Sequence, residues 1–319
     1  MTGTSPPGSP ESRAGLFLGL LAILWSLFYA AWRELPYVRA GAAIIYSAKE
    51  HQERQGQIFP PAVPVDARLI VFGNSKVLTG FIPARFDSLI GRQVYSANMG
   101  KPDESRFIED LELLLKRGQA PRRVLITLPW ATGVSPHFLE NDDNVMDTLF
   151  PFRKLPRDLI LFSFGASGHG GIPSFYRYGE SEVQAMERNR GWYFIEGQSH
   201  FPQNRLPDEF HLGTDRPDTI DDPSFSPAGP EFERLNRLTA RYSLMIFIVP
   251  SYHREGELAA SPPYATSVAQ RMAAWPAFTV AGPNYFLFPN RYFSDPVHLN
   301  PAGASLYTQK IAELMTPYL

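Results

Sequence analysis

Cysteine is absent from all 319 residues. That excludes disulfide staples, a thiolate nucleophile and cysteine-ligated zinc, while leaving an oxidising or a reducing compartment equally open. Charge of one sign is lacking too: 30 Lys and Arg stand against 32 Asp and Glu, a formal net charge of −2. No basic patch interrupts that balance, so the chain carries no electrostatic footprint for nucleic acid. Histidine is scarce at seven residues, and His137, His169, His200 and His211 make no His-x-x-x-His pair of the kind that holds zinc on a helix. Asp215, Asp218, Asp221 and Asp222 lack the alternating ligands and central Gly of a calcium loop. Gly165 to Gly171 lacks the Lys-Ser/Thr ending of a phosphate loop. Neither a metal nor a cofactor is expected.

What is present is an ordinary globular balance, 44% hydrophobic and 19% charged, enough to bury a real core. Residues 1–13 are rich in Pro, Ser and Gly and read as a disordered tail. Residues 14–32 (AGLFLGLLAILWSLFYAAW) hold no charge between Arg13 and Arg33. At 1.5 Å per residue they would span about 28 Å, close to the ~30 Å hydrocarbon core, with Trp25, Tyr29 and Trp32 toward one end. The segment reads as an uncleaved transmembrane anchor, with a signal peptide cleaved near Ala40-Gly41-Ala42 as the alternative. Arginines flank it on both sides, so charge does not orient it. Residues 33–65 read as a juxtamembrane stalk closed by Pro60, Pro61 and Pro64, and residues 66–319 as the folded body.

Within the body, short apolar runs at Leu69–Phe72, Val94–Ala97, Val124–Leu128, Leu244–Val249 and Phe278–Ala281 predict strands covered on both faces. Helical patterns fall at 103–117, 261–272 and 302–314. This alternation predicts a parallel sheet with helices on both faces, its site at the carboxyl ends of the strands. Residues 131–240 do not fit the scheme and read as an insertion with structure of its own. Its aromatic clusters, among them Trp192-Tyr193-Phe194, suit either a sugar-stacking cleft wall or core.

Chemistry concentrates at two places. The run Arg68-Leu69-Ile70-Val71-Phe72 ends in Gly73-Asn74-Ser75, a strand delivering a Ser onto a tight turn. Near the far end, Asp295-Pro296-Val297-His298 precedes a helix. A serine hydroxyl attacks only when an imidazole takes its proton, and a carboxylate orients that imidazole. Ser75, His298 and Asp295 supply those three parts. The bland readings are an ordinary turn, a helix-capping Asp and a surface His.

Val71-Phe72-Gly73-Asn74-Ser75 resembles the first block of the SGNH (GDSL-type) hydrolases, with Asn74 where many members carry Asp. Asp295-Pro296-Val297-His298-Leu299-Asn300 resembles their last block, which holds the triad Asp and His. Ala97-Asn98-Met99-Gly100-Lys101-Pro102-Asp103-Glu104-Ser105 resembles the second, with Asp103 at the position of the oxyanion Gly. After Val124–Leu128, Pro129-Trp130-Ala131-Thr132 stands where the third block has Gly-x-Asn-Asp. The resemblance covers about residues 66–128 and 277–319.

It implies an α/β fold of SGNH type, a three-layer α/β/α arrangement around a mainly parallel sheet with a large insertion and an N-terminal transmembrane helix. It further implies a membrane-anchored serine esterase or O-acyltransferase, O-acetyl by preference, facing the cell envelope. The expected substrate is an envelope or exported polysaccharide, or another acylated sugar, and a multi-spanning membrane O-acyltransferase is the expected partner. The oxyanion would be held by the backbone N–H groups of Ser75 and Asp103 and by the Asn98 side chain. The missing third-block Asn and Asp103 at the Gly position count in favour of one rival, a non-catalytic glycan-binding or scaffold protein; a lipase or thioesterase of the same fold is another, against which the polar aromatic insertion speaks.

Overall fold

A computed structural model of the chain describes residues 10–34, 49, 58–91, 93–101, 107–127, 163, 166–168, 170–194, 201–212, 230–255 and 268–319. The chain divides into two compact units, residues 1–47 with 143–180, and residues 48–142 with 181–319.

In the first unit, helix α1 (Pro10–Glu34) contains the apolar run read from the sequence. It begins inside the expected disordered tail, with Pro10 as its first residue, whose fixed φ suits a helix start. Leu16, Phe17, Leu20, Leu24 and Leu27 are all exposed. The expected transmembrane span at 14–32 is not found as such: among the described residues no helix is long and apolar enough to cross a membrane, and the described side chains of α1 cover residues 13–28 only.

The second unit is built on a parallel sheet. In chain order its elements are β1 (Arg68–Phe72), α2 (Ser75–Gly80), α3 (Pro83–Ile90), β2 (Tyr95–Asn98), α4 (Phe107–Lys116) and β3 (Arg123–Thr127). Residues 181–188 of helix α5 (Ile172–Arg188) also belong to this unit, followed by α6 (Pro230–Tyr242), β4 (Met245–Val249), β5 (Ser251–Arg254) and α7 (Val268–Arg271). The chain finishes with β6 (Phe278–Val280), β7 (Tyr285–Phe288) and α8 (Pro301–Met315). The main sheet runs β2-β1-β3-β4-β6, and every neighbouring pair is parallel. These are the five strands anticipated from the apolar runs, shifted by a residue at some ends. A second, two-stranded parallel sheet pairs β5 with β7; it was not anticipated, because Ser251-Tyr252-His253-Arg254 carries no apolar signature.

Alternation along the strands decides which helix covers which face. Ile70 and Phe72 of β1, Val124 and Ile126 of β3, and Ile246 and Ile248 of β4 pack with Ile108, Leu111 and Leu114 of α4 and with Leu235 and Leu238 of α6. The intervening Leu69, Val71, Leu125, Phe247 and Val249 pack with Val77 of α2, Phe86 and Ile90 of α3, and Tyr307, Ile311 and Met315 of α8. The result is three layers, helix–sheet–helix. All five residues of β1 are buried, as a central strand covered on both faces requires.

The sequence-predicted helices at 103–117 and 302–314 correspond to α4 and α8. For 261–272 only α7 and the following turn are described. Within the expected insertion, residues 131–162, 195–200 and 213–229 lie outside the described residues, together with the His137, His200 and Asp215–Asp222 patterns read there. His169 and Pro129–Ala131 lie outside them as well.

Candidate active site

The strand order reverses between β1 and β3, and the carboxyl ends of two such strands leave the crevice where parallel sheets place their sites. Ser75 emerges there. The turn from β1 into α2 is tight enough that a Cβ on Gly73 would lie 2.2 Å from Thr127 Oγ1 and 2.4 Å from Val77 Cγ2. Only a residue without a side chain lets the chain turn so close to the end of β3. Asn74 then caps α2: its Oδ1 accepts the Lys76 N–H at 2.9 Å, and its carbonyl accepts the N–H groups of Val77 and Leu78. Asn is a favoured N-cap, so Asn74 starts the helix that Ser75 opens. With those amides taken, the Ser75 N–H makes no hydrogen bond among the described residues. It is an orphan donor of the helix start, beside its own hydroxyl.

His298 and Asp295 come from the segment between β7 and α8. Phe293 and Leu299 form an antiparallel bridge, and the Ser294 N–H donates to the His298 carbonyl at 2.9 Å, which closes a short hairpin with both residues at its tip. Asp295 Oδ1 accepts the N–H of Val297 at 2.8 Å and of His298 at 2.7 Å, the self-bonding turn that Asp favours. Asn300 accepts the Gly303 N–H at 3.0 Å and Pro301 follows, the cap and first-turn Pro that start α8.

The three residues meet. His298 Nε2 lies 2.9 Å from Ser75 Oγ, and His298 Nδ1 lies 2.8 Å from Asp295 Oδ2. With Nδ1–H donating to the carboxylate, Nε2 is left to accept the Ser75 hydroxyl proton. Burial pushes the Asp295 carboxyl up. The bond to the His298 ring and its charge, with the two backbone N–H groups, outweigh that and hold it below its ordinary value. An anion is thereby kept where an imidazolium would form.

Asn98 does not face this centre as expected. Its side chain is fully buried. Its Nδ2 donates to Val77 O at 2.7 Å and Phe81 O at 2.8 Å, and its Oδ1 accepts the Gly100 N–H at 2.8 Å. Both amide hydrogens are committed to the backbone around α2, which leaves none for an oxyanion. The loop it fastens runs against the start of α2 so closely that a Cβ on Gly100 would lie 2.3 Å from the Leu78 nitrogen. Asp103 lies outside the described residues.

For Trp192 and Tyr193 the sequence left a sugar-stacking cleft wall and core both open, and the structure favours core. The Trp192 indole N–H donates to Thr79 O at 2.8 Å, and Tyr193 is buried with its N–H on Leu78 O at 3.2 Å. Both brace α2 from behind. The signal that could have revealed this was their neighbour Gly191, whose positive φ of 91° marks a tight turn into packed structure.

Compared with protein-family models, with curated proteins and with solved structures, the chain matches none.

Proposed function

We propose that this protein is a serine-dependent esterase or O-acyltransferase of SGNH type. The single observation that carries the reading is the unbroken relay of 2.9 Å from Ser75 Oγ to His298 Nε2 and 2.8 Å from His298 Nδ1 to Asp295 Oδ2. Three titratable or nucleophilic groups drawn from two distant segments form, in order, nucleophile, base and orienter.

Ser75 Oγ attacks the acyl carbon while its proton passes to Nε2, and the carbonyl oxygen takes the displaced electron pair. The Ser75 N–H, at the positive end of α2, is the first donor for that oxyanion. Collapse breaks the ester bond, and the leaving alkoxide takes the proton from Nε2. Water or a sugar hydroxyl then gives its proton to the same nitrogen and attacks the acyl-enzyme; Ser75 recovers its proton as the acyl group leaves. Water yields hydrolysis and a sugar yields transfer. The resemblance of the sequence blocks supports an O-acetylated polysaccharide as substrate. The exposed apolar side chains of α1 support attachment to a membrane, and the resemblance alone supports a body in the cell envelope.

The test is labelling by a fluorophosphonate together with hydrolysis of an activated acetyl ester. Wild type is expected to label and to turn over. Ser75→Ala is expected to do neither, and His298→Ala to lose several orders of magnitude of turnover. The double variant is expected to lose little more, because triad members act as a unit. Equal turnover in wild type and Ser75→Ala would remove the enzyme reading.

A further inference from the structure

The centre depends on a hydroxyl and a ring nitrogen being held 2.9 Å apart although they belong to two separate segments. One four-residue strand touches both. β5 is buried along its whole length, yet it consists of a Ser, a Tyr, a His and an Arg, an unusual content for a strand with no solvent face.

On one side it reaches the nucleophile's neighbour. Lys76 Nζ donates to the Tyr252 carbonyl at 3.0 Å and approaches His253 Nδ1 at 3.4 Å. Tyr252 Oη in turn donates to the Lys76 carbonyl at 3.1 Å, so the residue that follows Ser75 is held through both its side chain and its carbonyl. On the other side, Arg254 Nε donates to the carbonyl of Pro296 at 2.8 Å, within the four-residue segment that carries Asp295 and His298. Arg254 is 1% exposed, and its guanidinium also lies over the Phe210 ring at 5.4 Å. A buried guanidinium is kept only where its surroundings compensate for the lost water. Tyr252 and Arg254 stand two residues apart and so share one face of the strand, about 7 Å from Cα to Cα. That short, rigid span is braced by β7, whose Phe288 carbonyl accepts the Glu255 N–H at 3.0 Å and whose chain runs on into the hairpin.

We infer that β5 is a positioning rail for the triad, with Lys76 and Arg254 as the two cationic latches that set the Ser75–His298 separation. The inference rests on the triad reading of the proposed function. Neither latch touches the reacting atoms; each acts through the backbone on which a triad residue stands. A displacement of about 1 Å at such a centre costs roughly 10²-fold in rate, whereas binding of a small ester is hardly affected.

The experiment compares Lys76→Met, Arg254→Met, their double variant, and the conservative Lys76→Arg and Arg254→Lys in the full chain. Turnover of an activated acetyl ester is measured below each melting temperature, alongside the low-field proton resonance of the His298–Asp295 bond. Each Met variant is expected to lose about 10–100-fold in kcat with KM within about twofold. The double variant is expected to lose less than the product of the two, since both set one distance. Arg254→Lys is expected to regain most of the loss, and Arg254→Met to broaden or shift the low-field resonance. Folded variants with wild-type kcat and an unmoved resonance would overturn the inference. If a Met variant does not fold, the uncharged and shorter Lys76→Gln or Arg254→Gln takes its place, and wild-type kcat with an unmoved resonance in the folded Gln variants would overturn it equally. Loss of the triad reading would show itself separately, as a Ser75→Ala protein that turns over like wild type.

Discussion

Replacing Asn98 by Ala separates two roles that the same residue could play, and the structure sets the magnitude for one of them. The side chain holds Val77 O, Phe81 O and the Gly100 N–H at 2.7–2.8 Å in a fully buried position. Truncation orphans the Gly100 N–H, at a cost of about 1–3 kcal/mol, and removes two further bonds worth about 0.5–1.5 kcal/mol each. Val77 O keeps the Phe81 N–H at 3.0 Å, which moderates the sum. The expected loss is about 3–5 kcal/mol, a large share of the roughly 5–15 kcal/mol that holds a typical domain. With a urea slope of about 3 kcal/mol/M, the unfolding midpoint should fall by roughly 1–2 M. Turnover of the folded fraction should fall by less than about tenfold, since the oxyanion loses no donor. A midpoint unchanged within error, together with a turnover 10²–10³-fold lower, is the signature of a lost oxyanion donor and would refute the assignment of Asn98 to the loop.

Three further outcomes follow from the geometry. Gly73→Ala should be strongly destabilised and lack esterase activity, because its Cβ would sit 2.2 Å from Thr127 Oγ1; a circular-dichroism melt with an acetyl-ester assay checks this, and a fully active variant would contradict it. Asp295 has a folded pKa held below its ordinary value of 3.8, so its ionisation contributes stability above that value and the contribution disappears as pH falls through the lower folded value. The stability gap between wild type and Asp295→Asn should therefore close as pH falls below 3.8, as read by urea melts across the acid range. If α1 attaches the protein to a membrane, the full chain should stay in the membrane fraction through a carbonate wash while a chain beginning at residue 48 is released; release of both would remove the anchor.

The central strands β1, β3 and β4 were legible in the sequence because strands buried on both faces must be largely apolar, a requirement that leaves a continuous run such as Leu69–Phe72; the edge strands β2 and β6 carry polar residues at Ser96, Asn98 and Thr279 and showed only as interrupted runs. The hairpin chemistry was legible for another local reason. Asp295 bonds amides two and three residues ahead and the ring of His298, so most of its geometry lies within one short motif. Ser75 was suggested by the strand that ends beside it. Its bond to His298 spans 223 positions, and only packing of α2 and α8 on the same face of the sheet brings the two together. Tertiary structure alone decided the role of Asn98. An Asn after a strand can turn its amide toward a ligand or toward backbone, and the choice depends on which carbonyls the neighbouring helix presents. The same holds for β5: a Tyr, a His and an Arg in succession look like surface until Lys76 and the Pro296 carbonyl arrive from distant parts of the chain. Apolar burial is written in residue type, whereas polar burial depends on partners that exist only once the chain has folded.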